Sequence, residues 1–200
     1  MGSVIVEMSM SLDGYIAGPH DSDANPFGDG GQRLHQWMLG DDGPAAGLAG
    51  AGREVFDDLR GETGAMISGR RLYDVTGGWS GSHPFAGIPV FVVTHAAPAA
   101  VPAGKTPFTF VTEGVANAVA RAQLAAGGKS VYVIGGASVV RQLLAAGLVG
   151  ELRIDVVPVL LGGGVSLFGE SAGAPVEMEQ AKITVADDVT HLRYRVKTRA

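Results

Sequence analysis

The chain has 200 residues, 46% of them hydrophobic and 18% charged, a formal net charge of -5 and no cysteine. This is enough apolar chain for one domain, residues 1–200, with a sizeable core. The acidic balance without a basic cluster argues against nucleic acid or an anionic membrane as partner, and the missing cysteines exclude disulfides, thiolate nucleophiles and Cys-held metals. Five scattered histidines, none in H-x-x-x-H spacing, give no metal site to expect. No apolar run approaches the roughly 20 residues of a membrane span, and no basic and apolar leader precedes Val4, so a cytoplasmic protein is expected.

In chain order, Val4 to Met10 reads as a strand that ends in Ser11-Leu12-Asp13-Gly14. The span from Gly18 to Gly52 is glycine-rich, with little periodicity beyond Leu34 to Leu39, and is expected to be a long lid, binding loop or disordered segment. A helix over Arg53 to Arg60 leads to a strand over Ala65 to Ser68 and a helix over Arg70 to Val75. Strands follow at Val90 to Thr94 and Thr109 to Val111, then a helix from Val115 to Ala126 that stops at Gly127-Gly128. Val131 to Ile134 is a strand, Ser138 to Ala146 a helix and Leu152 to Val157 a strand. Val176 to Thr184 and Thr190 to Lys197 close the chain as an antiparallel edge hairpin, with His191, Arg193, Arg195 and Lys197 expected on its wet face. Strands alternating with helices predict an α/β fold with a mostly parallel central sheet flanked by helices.

Three strand ends carry candidate chemistry. Ile134-Gly135-Gly136-Ala137-Ser138-Val139 leaves no side chain at the turn, so an anion can approach the backbone and the following helix start. The same glycines also serve a plain turn, and the sequence leaves both readings open. Ser68-Gly69-Arg70-Arg71 sets two cations in a first helical turn, against the helix dipole unless an anion sits between them; the alternative is a pair of solvated arginines. Val93-Thr94-His95 ends a strand in two side chains able to donate to phosphate oxygens. Ligands of open parallel sheets bind at such strand ends, and three phosphate-compatible ends suggest a dinucleotide with a 2'-phosphate.

Met10 to Gly18, Gly69-Arg70-Arg71, Val93-Thr94-His95, Gly135-Gly136 and Leu152 to Phe168 together resemble the dihydrofolate-reductase-like superfamily. Within it, the chain is similar to the C-terminal reductase domain of the bifunctional riboflavin-biosynthesis deaminase-reductase and its stand-alone relatives, from Val4 to about Val196. The resemblance implies NADPH binding: Gly69, Arg70 and Arg71 at the phosphates, Thr94 and His95 at the adenosine 2'-phosphate, Gly135, Gly136, Ala137, Ser138 and Val139 at the pyrophosphate, Ile134 and Ala17 near the nicotinamide. It also implies a substrate-side and catalytic role for Asp13, whose residue-level alternative is an Asp-Gly turn. Tyr15 and Trp37 are candidates for a stacking wall against a flat substrate, or ordinary packing.

Three features depart from the family. Leu72 stands where a threonine is common, Ile134 where the riboflavin-type domain usually has a pyrimidine-gripping glutamate, and Asp41 and Asp42 follow Trp37 without the helix on which dihydrofolate reductases carry their acid. No deaminase zinc motif occurs. The expected activity is NADPH-dependent reduction of a small heterocyclic or carbonyl substrate, the nearest family activity being that of 5-amino-6-(5-phosphoribosylamino)uracil reductase. Dihydrofolate reduction and a non-catalytic dinucleotide-binding module are the alternatives. The apolar segment Val156 to Leu161 and the habit of the riboflavin branch imply a homodimer.

Overall fold

The computed structural model describes residues 2–40, 43–44, 48–169, 175–186 and 188–197. Its strands are β1 (Val4–Ser11), β2 (Tyr15–Ala17), β3 (Leu39–Gly40), β4 (Gly43–Pro44), β5 (Thr63–Gly69), β6 (Val90–Val93), β7 (Phe108–Val111), β8 (Ser130–Val133), β9 (Glu151–Val157), β10 (Val165–Ser166), β11 (Met178–Ala186) and β12 (Val189–Val196). Its α-helices are α1 (Gly50–Glu62), α2 (Arg70–Val75), α3 (Val115–Ala125) and α4 (Ala137–Ala145). Eight strands form one sheet in the order β11-β12-β9-β1-β8-β5-β6-β7, parallel from β9 to β7, with β12 antiparallel to β9 and β11 antiparallel to β12. The mostly parallel sheet and the terminal hairpin are as the sequence predicts.

The strand period of two explains the layers. Val4, Val6, Ala65, Ile67, Val131 and Val133 pack with Ala118, Val119 and Ala122 of α3 and Val139, Val140 and Leu143 of α4. Met66, Val90 and Val92 pack with Phe56 and Leu59 of α1 and Tyr73 of α2. Each such fully buried aliphatic side chain contributes about 1.5–3 kcal/mol relative to exposure. Helix α1 runs almost directly into β5: Thr63 Oγ1 donates to the Leu59 carbonyl at 2.7 Å, which satisfies one of the open carbonyls at the helix end.

Three local outcomes differ from the sequence expectation. Helix α1 begins at Gly50, three residues before Arg53, and β5 begins at Thr63 rather than Ala65. The span from Gly18 to Gly52 carries a 3-10 turn at Gly31–Leu34 and the short β3–β4 pair, and Gly18 N donates to Phe27 O while Asp29 N donates to Pro19 O. Finally, His191 is not on a wet face. It is buried, with Nδ1 2.6 Å from Asp155 Oδ1.

That histidine belongs to a charged layer that period-two alternation cannot reveal. Cross-strand register sets Glu7 beside Arg153 and Arg193, and Ser9 beside Asp155 and His191. Arg153 is buried and bonds Glu62 and Glu151, with Glu7 Oε2 3.8 Å away. Arg193 Nη2 lies 3.7 Å from Asp58 of α1, so the same layer ties the hairpin to the helix. Burial and the nearby Asp155 charge raise the Glu7 carboxyl well above its ordinary range, against the pull of Arg153 and Arg193. Removing one partner of a buried charge pair leaves the other uncompensated. Arg153→Leu is therefore expected to cost about 3–5 kcal/mol in urea unfolding. A loss below about 1 kcal/mol would show that the layer is effectively solvated.

Candidate functional site

The strand ends of β1, β5, β6 and β8 open on a cleft of about 920 Å³, toward the upper end of the roughly 300–1,000 Å³ usual for small-molecule sites. Its floor is where β5 and β8 end together. Ile134 N donates to Ile67 O at 2.9 Å, and Gly69 N donates to Gly135 O at 2.7 Å. A Cβ on Gly69 would lie 3.2 Å from both Gly136 N and Val139 Cγ2, so glycine is what lets the two strand ends close up. Gly135 has φ +115°, a conformation that favours glycine, whereas Gly136 has φ -88° and nothing within 4 Å of a Cβ built on it. Gly136 is also the N-cap of α4 and has no side-chain cap. The start of a nine-residue helix thus faces open cleft at that point.

Cations stand at one wall. Arg70 Nε donates to Asp74 Oδ1 and Oδ2 at 2.7 and 2.9 Å, and its Nη1 donates to Ala96 O at 2.7 Å and reaches Thr94 Oγ1 at 3.4 Å. This arginine therefore fixes α2 against the end of β6. Thr94 Oγ1 itself donates to Ala96 O at 2.8 Å. Arg71 is bound to Asp21, which also lines the cleft. Arg141 of α4 donates from Nη1 to Ser166 O at 3.2 Å, and no carboxylate partner of it occurs among the described residues. Apolar side chains in the lining include Met8, Ile16, Phe27, Leu72 and Val165.

All the residues to which the resemblance gives a cofactor role lie in this one cleft: Ala17, Gly69, Arg70, Arg71, Thr94, His95, Ile134, Gly135, Gly136, Ala137, Ser138 and Val139. Asp13, Tyr15 and Trp37 are not part of its lining. Asp13 Oδ1 accepts from Ser11 Oγ at 2.6 Å and Leu161 N at 3.2 Å, and Oδ2 accepts from Gly162 N at 2.7 Å. The Ser11 hydroxyl, with these amides, holds its pKa below the ordinary value, so the carboxylate clamps the turn after β1 to the segment after β9. Tyr15 pairs with Ser166 in the β2–β10 ladder. Trp37 donates from Nε1 to Ser9 Oγ at 2.9 Å and lies edge-on to His191, 4.9 Å between ring centroids, over the buried polar layer. Asp41 and Asp42 lie outside the described residues.

The sequence reading did not single out Met8, Asp21, Phe27, His35 or Arg141, which also line the cleft. His35 packs on Phe27 with ring centroids 4.7 Å apart, and desolvation lowers its pKa to about 4, so it is neutral near pH 7. The sequence shows some periodicity at Leu34 to Leu39, but nothing in it says which side faces a ligand. Among the described residues, no group of His, Asp and Glu is arranged to hold a metal, and no helix is long and apolar enough to cross a membrane.

Residues 2–192 match the family model of the RibD C-terminal domain. No curated protein matches the chain. Among solved structures it is similar to a Shewanella sp. PV-4 protein provisionally named for riboflavin biosynthesis, at 27% identity and TM-score 0.71, over 98% of this chain and 99% of that one. It is similar to the Thermotoga maritima diaminohydroxyphosphoribosylaminopyrimidine deaminase/5-amino-6-(5-phosphoribosylamino)uracil reductase, at 14% identity and TM-score 0.62, over 98% of this chain but 57% of that one. The Enterococcus faecalis dihydrofolate reductase complexed with NADP(H) matches at 15% identity and TM-score 0.57, over 98% and 96% of the two chains. The architecture is dihydrofolate-reductase-like.

The two glycines flanking the floor should respond oppositely to a methyl group. Gly69→Ala presses on a backbone nitrogen that cannot move aside and is expected to lose about 1–3 kcal/mol of stability. Gly136→Ala enters open space and is expected to be neutral or to gain up to about 1 kcal/mol through the unfolded chain. Equal losses in thermal unfolding would contradict this account of the floor.

Proposed function

Because the chain belongs to the RibD C-terminal domain family, we propose that it is an NADPH-dependent reductase of a small heterocyclic or carbonyl substrate, acting in the cleft at the ends of β1, β5, β6 and β8. The single observation that carries this reading is the uncovered Gly136 at the start of α4, in the same cleft as Arg70, Arg71, Thr94 and His95. A dinucleotide fits such a lining: backbone amides for the pyrophosphate, cations and hydroxyls for a 2'-phosphate, and an apolar end for a flat ring.

In this reading Gly135, Gly136, Ala137, Ser138 and Val139 hold the pyrophosphate, and Arg70, Arg71, Thr94 and His95 read the 2'-phosphate. Ile134 and Ala17, with Met8 and Ile16, flank the nicotinamide. When bound, NADPH supplies hydride from its nicotinamide ring. The chain's own part is to fix that ring and offer the acceptor a dry apolar wall through Phe27 and Ile16. The neutral imidazole of His35 has hydrogen-bonding capacity at that same end of the cleft. The nearest activity by family is reduction of the ribosylamino-pyrimidine of riboflavin synthesis, and Ile134 in place of a pyrimidine-gripping glutamate makes the acceptor's identity the open variable of the proposal.

Titration with NADPH and NADH tests the cofactor half. NADPH is expected to bind tighter by about 1.5–3 kcal/mol for each charge-assisted contact to the 2'-phosphate, and Gly136→Val is expected to abolish binding while the far-ultraviolet circular dichroism stays native. Equal affinities, or an unchanged Kd in Gly136→Val, would contradict the reading. Turnover of 5-amino-6-(5-phosphoribosylamino)uracil and of dihydrofolate, followed by NADPH absorbance, assigns the acceptor.

A further inference from the structure

Both arginines at the phosphate end of the cleft are engaged by carboxylates of the chain itself, Arg70 by Asp74 one turn along its own helix and Arg71 by Asp21 from a distant segment. Arg71 Nε donates to Asp21 Oδ2 at 2.9 Å, and Nη2 donates to the same oxygen at 2.5 Å and to the Asp21 carbonyl at 3.0 Å. Both residues line the cleft, so the carboxylate stands beside the space a ligand would fill. The two residues are fifty positions apart in the chain.

The segment that carries Asp21 is a self-contained piece. Gly18 N bonds Phe27 O, Asp29 N bonds Pro19 O, and Ser22 and Asn25 exchange backbone bonds. The Asn25 side chain and the His20 ring both bond Asp29. None of these bonds involves Arg71, so the Arg71–Asp21 contact can be given up without unfolding the segment. The same segment brings Pro26 and Phe27 into the cleft lining.

We propose that Asp21 is a resident competitor for the anion site: its carboxylate holds Arg71 until a ligand phosphate replaces it, and the exchange frees residues 18–31 from the α2 wall. Asp21 thereby sets how tightly the cleft takes a phosphorylated ligand and couples binding to the position of the segment carrying Phe27. A phosphate offers more negative charge and more acceptor oxygens than a carboxylate to the same guanidinium, so the exchange runs toward the ligand. This inference rests on the dinucleotide reading above for the identity of the ligand, though not for the exchange itself.

The chain lacks cysteine, so spin labels at Ala24→Cys and Ala120→Cys, both exposed, report the distance from the segment to α3. Adenosine 2',5'-bisphosphate, which carries the 2'-phosphate assigned to Arg71, with binding followed by calorimetry, is expected to shift or broaden that distance distribution in the otherwise unaltered chain. Asp21→Asn is expected to show the altered distribution without the bisphosphate, and Arg71→Gln to show it with no further response. NADPH is expected to bind about two- to fivefold tighter to Asp21→Asn, the scale of a surface ion pair no longer competing, with no such gain in the Arg71→Gln background. An unchanged distribution at saturating bisphosphate, absence of bisphosphate binding, or weaker binding of NADPH to Asp21→Asn would overturn the proposal. If the bisphosphate moves the segment while NADPH fails to bind, the exchange stands and the cofactor reading falls.

Discussion

The structure turns on how closely the ends of β5 and β8 approach. The bond from Gly69 N to Gly135 O joins the two strands two residues beyond their last paired residues, Ile67 and Val133, and the lack of a Cβ at Gly69 leaves room for Gly136 and Val139 at the start of α4. The phosphate-side floor of the cleft follows from that. The start of α4 is uncovered because the glycines carry nothing over it, and Arg70 and Arg71 face the same space because α2 starts at the same level. The end of β6 is brought in by Arg70, which bonds Ala96 O and meets Thr94.

A second constraint operates on the other side of β1. The row Glu7, Arg153, Arg193 and the row Ser9, Asp155, His191 bury charge where an apolar layer would be simpler. Such pairs contribute little net stability over hydrophobic replacements, but they penalise mispairing strongly. Their effect here is register: sliding β12 by one residue against β9 would separate His191 from Asp155 and turn both rows over. Trp37, bonded to Ser9 and edge-on to His191, ties the chain leading out of the glycine-rich span to this layer. Asp13 does the same for the turn after β1 through the amides of Leu161 and Gly162.

The sheet was legible because parallel strands buried on both faces leave continuous apolar runs, and all the long strands and all four helices stand in the sequence within a few residues of their true limits. That these strand ends meet in one cleft was legible for a related reason: glycine turns and basic first turns are local signals, and the fold gathers strand ends by rule. What stayed hidden depends on distant pairing. His191 alternates like a solvent-facing residue, and only its partner Asp155 keeps it inside. Asp21 reads as one acidic loop residue among several until the fold sets it against Arg71. The roles of Asp13 and Trp37 are similar cases, because their hydrogen-bond partners lie 149 and 28 residues away.

The central claim is that a 2'-phosphorylated dinucleotide lies across the ends of β5, β6 and β8. The most direct test is a crystal structure of the protein grown with NADP⁺. The account predicts the pyrophosphate over Gly136 at the start of α4, the 2'-phosphate among Arg70, Arg71, Thr94 and His95, and the nicotinamide against Ile134 and Ala17. A dinucleotide bound with its phosphates away from α4, or seated outside the cleft, would contradict it.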